Sequence, residues 1–165
     1  EHLLTRQPFL LGGRITLADA SAYGQLSMNL TDPAAADLLR DRAPRTFEWL
    51  GAVRDRREPD GDGSLEITDA LEPLLTIVGA TFVPLMEQND RAYDAAVAAG
   101  ETDFNESAFD TGRSLYDGEL LGRPFRHVVK SFQVRTWRDL RTRWAALGPD
   151  DRARIPATIS DRMST

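Results

Sequence analysis

Hydrophobic and polar positions alternate with helical spacing over most of the chain, and the longest such pattern runs from Thr68 to about Ala99. Its apolar members recur three or four positions apart: Leu71, Leu74, Leu75, Val78, Phe82, Leu85, Met86, Tyr93 and Val97. Thr68 is a suitable N-cap, and Gly100 is a suitable helix end. Pro84 lies inside the pattern, which predicts one kinked helix rather than two, with Asn89 needing a polar partner.

A second helical pattern starts at Thr16 and continues to about Leu30. Apolar or small residues nearly surround its helical wheel, and a helix that is apolar on all sides is normally buried. Gly24 lowers the intrinsic stability of a helix, a cost usually accepted where another backbone approaches closely. We therefore predict a central, buried helix in this stretch.

Turn and cap residues place the remaining helices. Asp32 and Pro33 restart the chain as a short helix, and Pro44 opens the next one. That helix has an inward stripe of Phe47, Leu50 and Val53, with Trp49 at its border. From Ser131 to Leu147 a further helix carries Trp137, Leu140, Trp144 and Leu147 on one face and arginines on the other.

Residues 114–129 break the helical pattern. Short apolar runs flank Gly118 and the sequence Gly122-Arg123-Pro124, which fits either a small β-hairpin or irregular coil. The chain as a whole therefore predicts an all-α fold, with at most a small hairpin near its C-terminal end.

Composition narrows the function classes. The chain has 165 residues, 26 acidic against 20 basic ones and a net charge of -6, which argues against nucleic acid and anionic lipid as partners. It has no cysteine, so it can form neither a disulfide nor a thiolate site. No uninterrupted apolar run approaches the roughly 20 residues that span a bilayer. We expect a soluble, cytoplasmic protein.

The segment around Ile15 contains a specific helix-starting motif. Thr16 can accept a hydrogen bond from the Asp19 N–H, and the Asp19 carboxylate can reach back to the Thr16 N–H. Asp19 also lies at the positive end of the helix dipole. We predict that Thr16 and Asp19 form a structural cap.

Residues 58–69 partly match a calcium-binding loop, with oxygen side chains at most of the expected positions and Gly63 at the sixth. Glu58 and Pro59 are unusual openings for such a loop, and Asp69 is one methylene shorter than the usual bidentate Glu. We therefore predict a polar inter-helix loop without useful calcium affinity, and no metal site.

The two histidines, His2 and His127, belong to no ligand or catalytic motif, and His127 is expected at the surface or in a packing contact.

Three stretches in chain order resemble the helical C-terminal domain of glutathione transferases. Residues 8–26 are similar to the family's segment that joins two helices and starts the central one. Residues 42–50 resemble its next helix, with a Pro start and an inward Trp. Residues 124–135 and 144–147 are similar to the C-terminal extension of many bacterial members.

The resemblance implies a helical bundle in residues 1–102, with its first helices missing, and a packed extension in residues 103–165. In the family an N-terminal thioredoxin-like domain holds glutathione, the co-substrate, and carries the thiol-activating Ser, Tyr or Cys. None of that domain is in this chain, which starts without Met, so we expect a fragment with no catalytic residue of its own. The intact protein is expected to be a homodimer.

The resemblance also implies that the helices line the site of a small hydrophobic electrophile in a detoxifying transferase. Tyr23 and Phe132 are the candidate substrate-binding residues, although the residue type of Tyr23 favours a core tyrosine with one hydrogen bond over a substrate contact. The alternative from another class is a non-catalytic binding or scaffolding module built on the same helical domain.

Overall fold

Helices dominate the computed structural model, which describes residues 1–59 and 63–163. The largely helical class predicted from the sequence is confirmed. The chain divides into two compact units, Glu1–Pro73 and Leu74–Thr165. The family-based boundary at residues 102 and 103 falls inside the second unit and stays a prediction.

The described residues of the first unit form three α-helices and three short 3-10 turns. The helices are α1 (Leu17–Leu26), α2 (Pro33–Arg42) and α3 (Pro44–Asp55), and the turns are Leu3–Thr5, Ser27–Leu30 and Asp69–Leu71. As predicted, Asp32 caps α2 by accepting the Ala34 N–H at 2.9 Å, and Pro33 occupies its first turn. Helix α3 contacts both α1 and α2.

An apolar cluster of Phe9, Trp49 and Leu50 forms the core of this unit. Each of the three is at most 4% exposed. The cluster joins the segment before α1 to helix α3, and the partly buried side chains around it include Ile15, Tyr23 and Val53. The helical pattern predicts Trp49 at the border of the α3 stripe, whereas the structure buries it, as an inward Trp.

The prediction that α1 is buried on all sides is wrong for the described residues. Leu17 is 82% exposed, and a Cβ added at Gly24 would meet no atom within 4 Å. Asp19 is its one buried residue, and only Ala22 and Tyr23 of α1 reach the apolar cluster. The wheel is filled largely by Ala, Ser and Gly, whose small side chains give the helix little apolar surface to bury.

The second unit is built along α4 (Glu72–Ala98), whose first two residues belong to the first unit. Pro84 lies inside this single helix, as predicted, and Gly100 follows with φ 88°. The other helices are α5 (Glu106–Asp110), α6 (Ser131–Ala146), α7 (Pro149–Arg152) and α8 (Ala157–Met163). Their apolar core consists of Val83, Met86, Trp137, Trp144 and Met163.

A two-stranded antiparallel hairpin interrupts the helices. Strands β1 (Leu115–Leu120) and β2 (Arg123–Val128) pair from Leu115 with Val128 to Leu120 with Arg123. Leu121 and Gly122 form the two-residue loop with φ of 52° and 73°, as a type I′ turn requires. Of the two alternatives for residues 114–129, the hairpin is the correct one.

Two amides of α4 hold the hairpin and α6 in place. Gln88 donates to the Glu119 carbonyl at 3.0 Å and accepts from the Glu119 N–H at 2.9 Å. Asn89, only 1% exposed, makes the same two-way bond with the backbone of Lys130, at 3.1 and 2.9 Å. The polar partner that Asn89 was predicted to need is therefore the start of α6.

The α6 face is only partly as predicted. Trp137 and Trp144 are buried, whereas Leu140 and Leu147 are 41% and 39% exposed. On the opposite face, Arg138 is not merely solvated, because it binds Asp90 and Asp94 of α4 at 2.6 and 2.7 Å. Both ion pairs raise the pKa of Arg138.

One described span, Asp69–Ala98, is long and apolar enough by length and composition to cross a membrane. Core helices of soluble proteins and signal sequences have the same length and composition. Only 28% of its apolar window is buried, and Ile77 is 59% exposed.

Candidate functional site

The carboxylate of Asp19 accepts four hydrogen bonds from described residues of the first unit. Asp19 is fully buried, and its Oδ1 accepts hydrogen bonds from the Leu10 N–H at 2.8 Å and the Trp49 Nε1–H at 3.0 Å. Its Oδ2 accepts from the Thr16 N–H at 2.9 Å and from the Thr16 hydroxyl at 2.7 Å. The structure therefore has Thr16 and Asp19 in a capping box, with the carboxylate half extended to two further donors.

The backbone conformation of the segment before α1 positions the Leu10 and Thr16 N–H groups toward Asp19. Gly12 has φ 107°, and an added Cβ would lie 2.6 Å from the Ser64 carbonyl oxygen. Only glycine fits both this conformation and this close approach. The Gly13 N–H donates to the same Ser64 carbonyl at 2.9 Å, and the Glu66 N–H donates to the Leu11 carbonyl at 3.0 Å. The turn is thereby fixed against residues 64–66.

The filled acceptors of Asp19 decide what it can do chemically. A carboxylate has about four lone-pair positions, and four donors occupy them. No acceptor position is left for a substrate proton or a metal ion. The Asp19 site is thus a structural centre that connects the turn, α1 and α3.

The two candidate substrate-binding residues lie in different units. Tyr23 is half-buried against the Phe9, Trp49 and Leu50 cluster of the first unit. Phe132, on the first turn of α6 in the second unit, is 68% exposed, and the Arg135 guanidinium lies 5.3 Å from its ring centre. The core position of Tyr23 agrees with the simpler of its two predicted roles.

The loop at residues 58–69, which partly matches a calcium-binding loop, lies partly outside the described residues, because it includes residues 60–62. Within the described part of the chain no three His, Cys, Asp or Glu side chains form a metal-binding group. Glu58, the first residue of this loop, accepts a hydrogen bond from the Ile15 N–H at 2.7 Å. Its carboxylate therefore contributes to the entry of α1.

A polar pocket of about 340 Å³ lies beside the Gly12-Gly13 turn. Gln7, 8% exposed, supports it by donating to the carbonyls of Phe9 and Leu10 and accepting from the Thr68 hydroxyl at 2.6 Å. Both donor positions of the Gln7 amide are thus used inside the fold. The lining also includes the charged residues Arg6, Glu66 and Asp69, and Arg6 lies 3.7 Å from Asp69.

A second pocket, of about 400 Å³, lies between α5 and the end of the hairpin. We call it the hairpin pocket, and its lining consists of Phe109, Asp110, Arg126, His127, Val128 and Lys130. Arg126 forms a two-pronged ion pair with Asp117 at 2.6 and 2.8 Å. This hydrogen bonding lowers the pKa of Asp117 and raises that of Arg126.

Sequence reasoning missed both the Trp49 donor and the hairpin pocket. A buried indole N–H usually has an acceptor, so an inward Trp in a fold with a capping Asp was a usable signal for the first. The pocket had no such signal, because its residues come from a short helix and a strand whose pairing the sequence left open. His127 lies at the surface, one of its two expected positions, and its Nδ1 is 2.7 Å from the Val128 carbonyl.

Comparisons with known proteins identified no relative: no family model matches the chain, and neither the curated proteins nor the solved structures gave a match.

Proposed function

We propose that this chain is the electrophile-side helical domain of a glutathione transferase-like protein. The intact protein would conjugate small apolar electrophiles with glutathione or reduce them with it. The observation that carries the proposal is the Asp19 centre. It joins two of the segments that resemble the family, residues 8–26 and 42–50, through the hydrogen bond from the Trp49 indole to the Asp19 carboxylate.

The chemistry assigns this chain a supporting role. Conjugation requires the glutathione sulfur as a thiolate, which bonds to the electrophilic carbon while a leaving group such as chloride departs. A hydroxyl donor and a helix N-terminus are the usual means of lowering a thiol pKa. In the proposal these groups belong to a thioredoxin-like domain, and this chain supplies apolar wall for the electrophile.

Tyr23 of the first unit and Phe132 of the second unit are each proposed as an apolar contact for the electrophile. Tyr23 has an apolar body anchored in the first-unit cluster, and Phe132 offers an exposed aromatic ring. Apolar contact of this kind scales with buried area and does not need the thiol. Removing a wall residue is therefore expected to raise the KM for the electrophile more than it lowers kcat.

The test compares this chain with the whole product of its gene. Both are assayed for conjugation of glutathione to 1-chloro-2,4-dinitrobenzene and for retention on immobilised glutathione. We expect the whole product to do both and this chain to do neither. In the whole product, Tyr23→Ala and Phe132→Ala should raise the KM for the electrophile, whereas Phe109→Ala, another exposed phenylalanine, serves as the matched control.

Two results would overturn the proposal in different ways. Conjugation by this chain alone would place the catalytic groups within residues 1–165. Inactivity of a well-folded whole product would favour the non-catalytic binding or scaffolding module. Equal KM values for the Phe132→Ala and Phe109→Ala variants would remove Phe132 from the wall.

A further inference from the structure

The hairpin pocket has two chemically different walls. Helix α5 contributes Phe109, whose ring is 54% exposed, and the Asp110 carboxylate. Strand β2 and the residues after it contribute Arg126, buried Val128 and Lys130. The His127 ring lies on the opposite face of β2, 6.3 Å from the Tyr116 ring, so His127 borders the pocket without adding a side chain to its cationic wall. One side is therefore aromatic and acidic, and the other is cationic.

The backbone on the cationic side is held firmly. Lys130 exchanges two hydrogen bonds with the buried amide of Asn89, and the Val129 N–H donates to the Ser114 carbonyl at 2.9 Å. The α5 side is capped by Asn105, whose side chain accepts from the Ala108 N–H at 3.1 Å. Both walls are thus positioned before any ligand arrives, which lowers the entropic cost of binding.

Charged groups in the pocket are left available. Among the described residues, neither the Lys130 ammonium nor the Asp110 carboxylate has a hydrogen bond or an ion pair. Arg126 uses Nε and one terminal nitrogen on Asp117, which leaves its other terminal nitrogen for a ligand.

We propose that the hairpin pocket binds a nucleoside monophosphate. Arg and Lys together suit a phosphate group, an exposed Phe ring stacks on a base, and a carboxylate accepts hydrogen bonds from ribose hydroxyls. A plain phosphate ion would leave Phe109 without a role and would meet repulsion from Asp110. The volume falls in the range of about 300–1,000 Å³ typical of small-molecule sites. The proposal is independent of the proposed transferase function.

The binding experiment uses the purified 165-residue chain and three related probes, titrated by NMR and calorimetry. They are adenosine 5′-monophosphate (AMP), adenosine, which lacks the phosphate, and ribose 5-phosphate, which lacks the base. We expect AMP to bind at least roughly tenfold more tightly than either truncated probe, since each loses one wall of the pocket. The largest chemical-shift changes are expected at His127 and Val128.

Variants then locate the site. Lys130→Gln and Phe109→Ala should each weaken the binding of AMP roughly tenfold. Asp110→Asn should weaken the binding of AMP, whereas inorganic phosphate should bind to this variant as tightly as to the wild-type chain, or more tightly. Arg123→Gln and Leu121→Ala are the controls, because both residues lie outside the pocket lining and Leu121 is 70% exposed. Far-ultraviolet circular dichroism confirms that each variant is folded.

The proposal fails on any of three results. AMP could show no saturable shift in the wild-type chain up to about 10 mM, which is weaker than any specific nucleotide site. AMP, adenosine and ribose 5-phosphate could bind equally, which would mean that the two walls do not act together. Finally, AMP affinity could be unchanged by both Lys130→Gln and Phe109→Ala, which would place any site elsewhere.

Discussion

The Asp19 centre and the hairpin pocket both contain carboxylates, but they use them in opposite ways. Asp19 is fully buried, and all of its acceptor positions are filled by four protein donors. Asp110 is exposed and lacks a partner among the described residues, as does the nearby Lys130 ammonium. A charge saturated by its own fold holds structure together, whereas a charge without a partner is available to a ligand.

The difference follows from the cost of burial. A buried ion is tolerated only when its hydrogen bonds replace those of water, so every donor at Asp19 is needed. Exposed charges have no such requirement, and ion pairs between them contribute little to stability. Substitutions at the first site should therefore change folding, and substitutions at the second should change binding.

The largest expected effect is that of Asp19→Ala. It leaves the Leu10 N–H, the Thr16 N–H and the Trp49 indole N–H without their acceptor inside the fold, so the free energy of unfolding should fall by about 3–5 kcal/mol. Asp32→Ala is the control, because Asp32 is an exposed cap with one hydrogen bond, and its loss should cost about 1 kcal/mol. Denaturant melts measure both, and equal losses would refute a special role for Asp19.

Gly118→Ala should be next in size. A Cβ at Gly118 would lie 2.5 Å from the Phe125 ring and 2.7 Å from the Gln88 Oε1, so we expect a loss of about 1–3 kcal/mol. Gly24→Ala is the opposite case, since its Cβ would meet open space on a helix, and it should stabilise by about 0.5–1 kcal/mol. A destabilising Gly24→Ala would instead support the closely packed α1 that the sequence predicted.

Trp49→Phe sharpens the comparison with a smaller change. It removes the indole N–H that binds Asp19. The free energy of unfolding should therefore fall by about 1 kcal/mol more than the smaller buried area of the Phe ring alone would cause. The matched variant is Trp137→Phe, because the buried Nε1 of Trp137 has no partner among the described residues. If thermal or denaturant melts give Trp137→Phe the larger loss, the indole bond to Asp19 contributes little.

The smallest effect concerns the exposed pair of Asp117 and Arg126 beside the hairpin pocket. The hydrogen bonds from Arg126 lower the pKa of Asp117, so the pair stabilises the fold above the ordinary carboxyl pKa. That contribution is lost as the pH falls through the lowered pKa of Asp117. Around neutral pH the carboxylate stays ionised, so the contribution of the pair to stability should not vary with pH there. An NMR titration should show the lowered pKa of Asp117 returning to its ordinary range in Arg126→Gln, and an unaltered titration would contradict the pairing.

Local signals predicted much of the fold because they depend on neighbouring residues. The cap at Asp32, the continuous helix through Pro84 and the need of Asn89 for a partner all follow from chemistry within a few positions. The burial of α1 was mispredicted because counting apolar positions ignores their size, and Ala, Ser and Gly bury little. Burial depends on contacts that the local pattern does not specify.

The candidate sites differ in the same respect. The Thr16 and Asp19 pair was visible from its three-residue spacing, but the Trp49 donor comes from 30 residues farther along the chain. The hairpin pocket requires the register of β1 and β2 and the position of α5, which no short motif encodes. Tyr23 and Phe132 came from the family resemblance alone, and their role as wall residues stays a prediction.

The most direct test of the distinction between the two sites measures stability and binding in the same two variants. Asp19→Asn places an amide N–H₂ against existing donors, so it should lower the free energy of unfolding. The affinity of the folded Asp19→Asn chain for AMP should stay unchanged. Lys130→Gln should leave stability unchanged and weaken AMP roughly tenfold. A loss of stability in Lys130→Gln comparable to that in Asp19→Asn, or a loss of AMP binding in folded Asp19→Asn, would contradict the account.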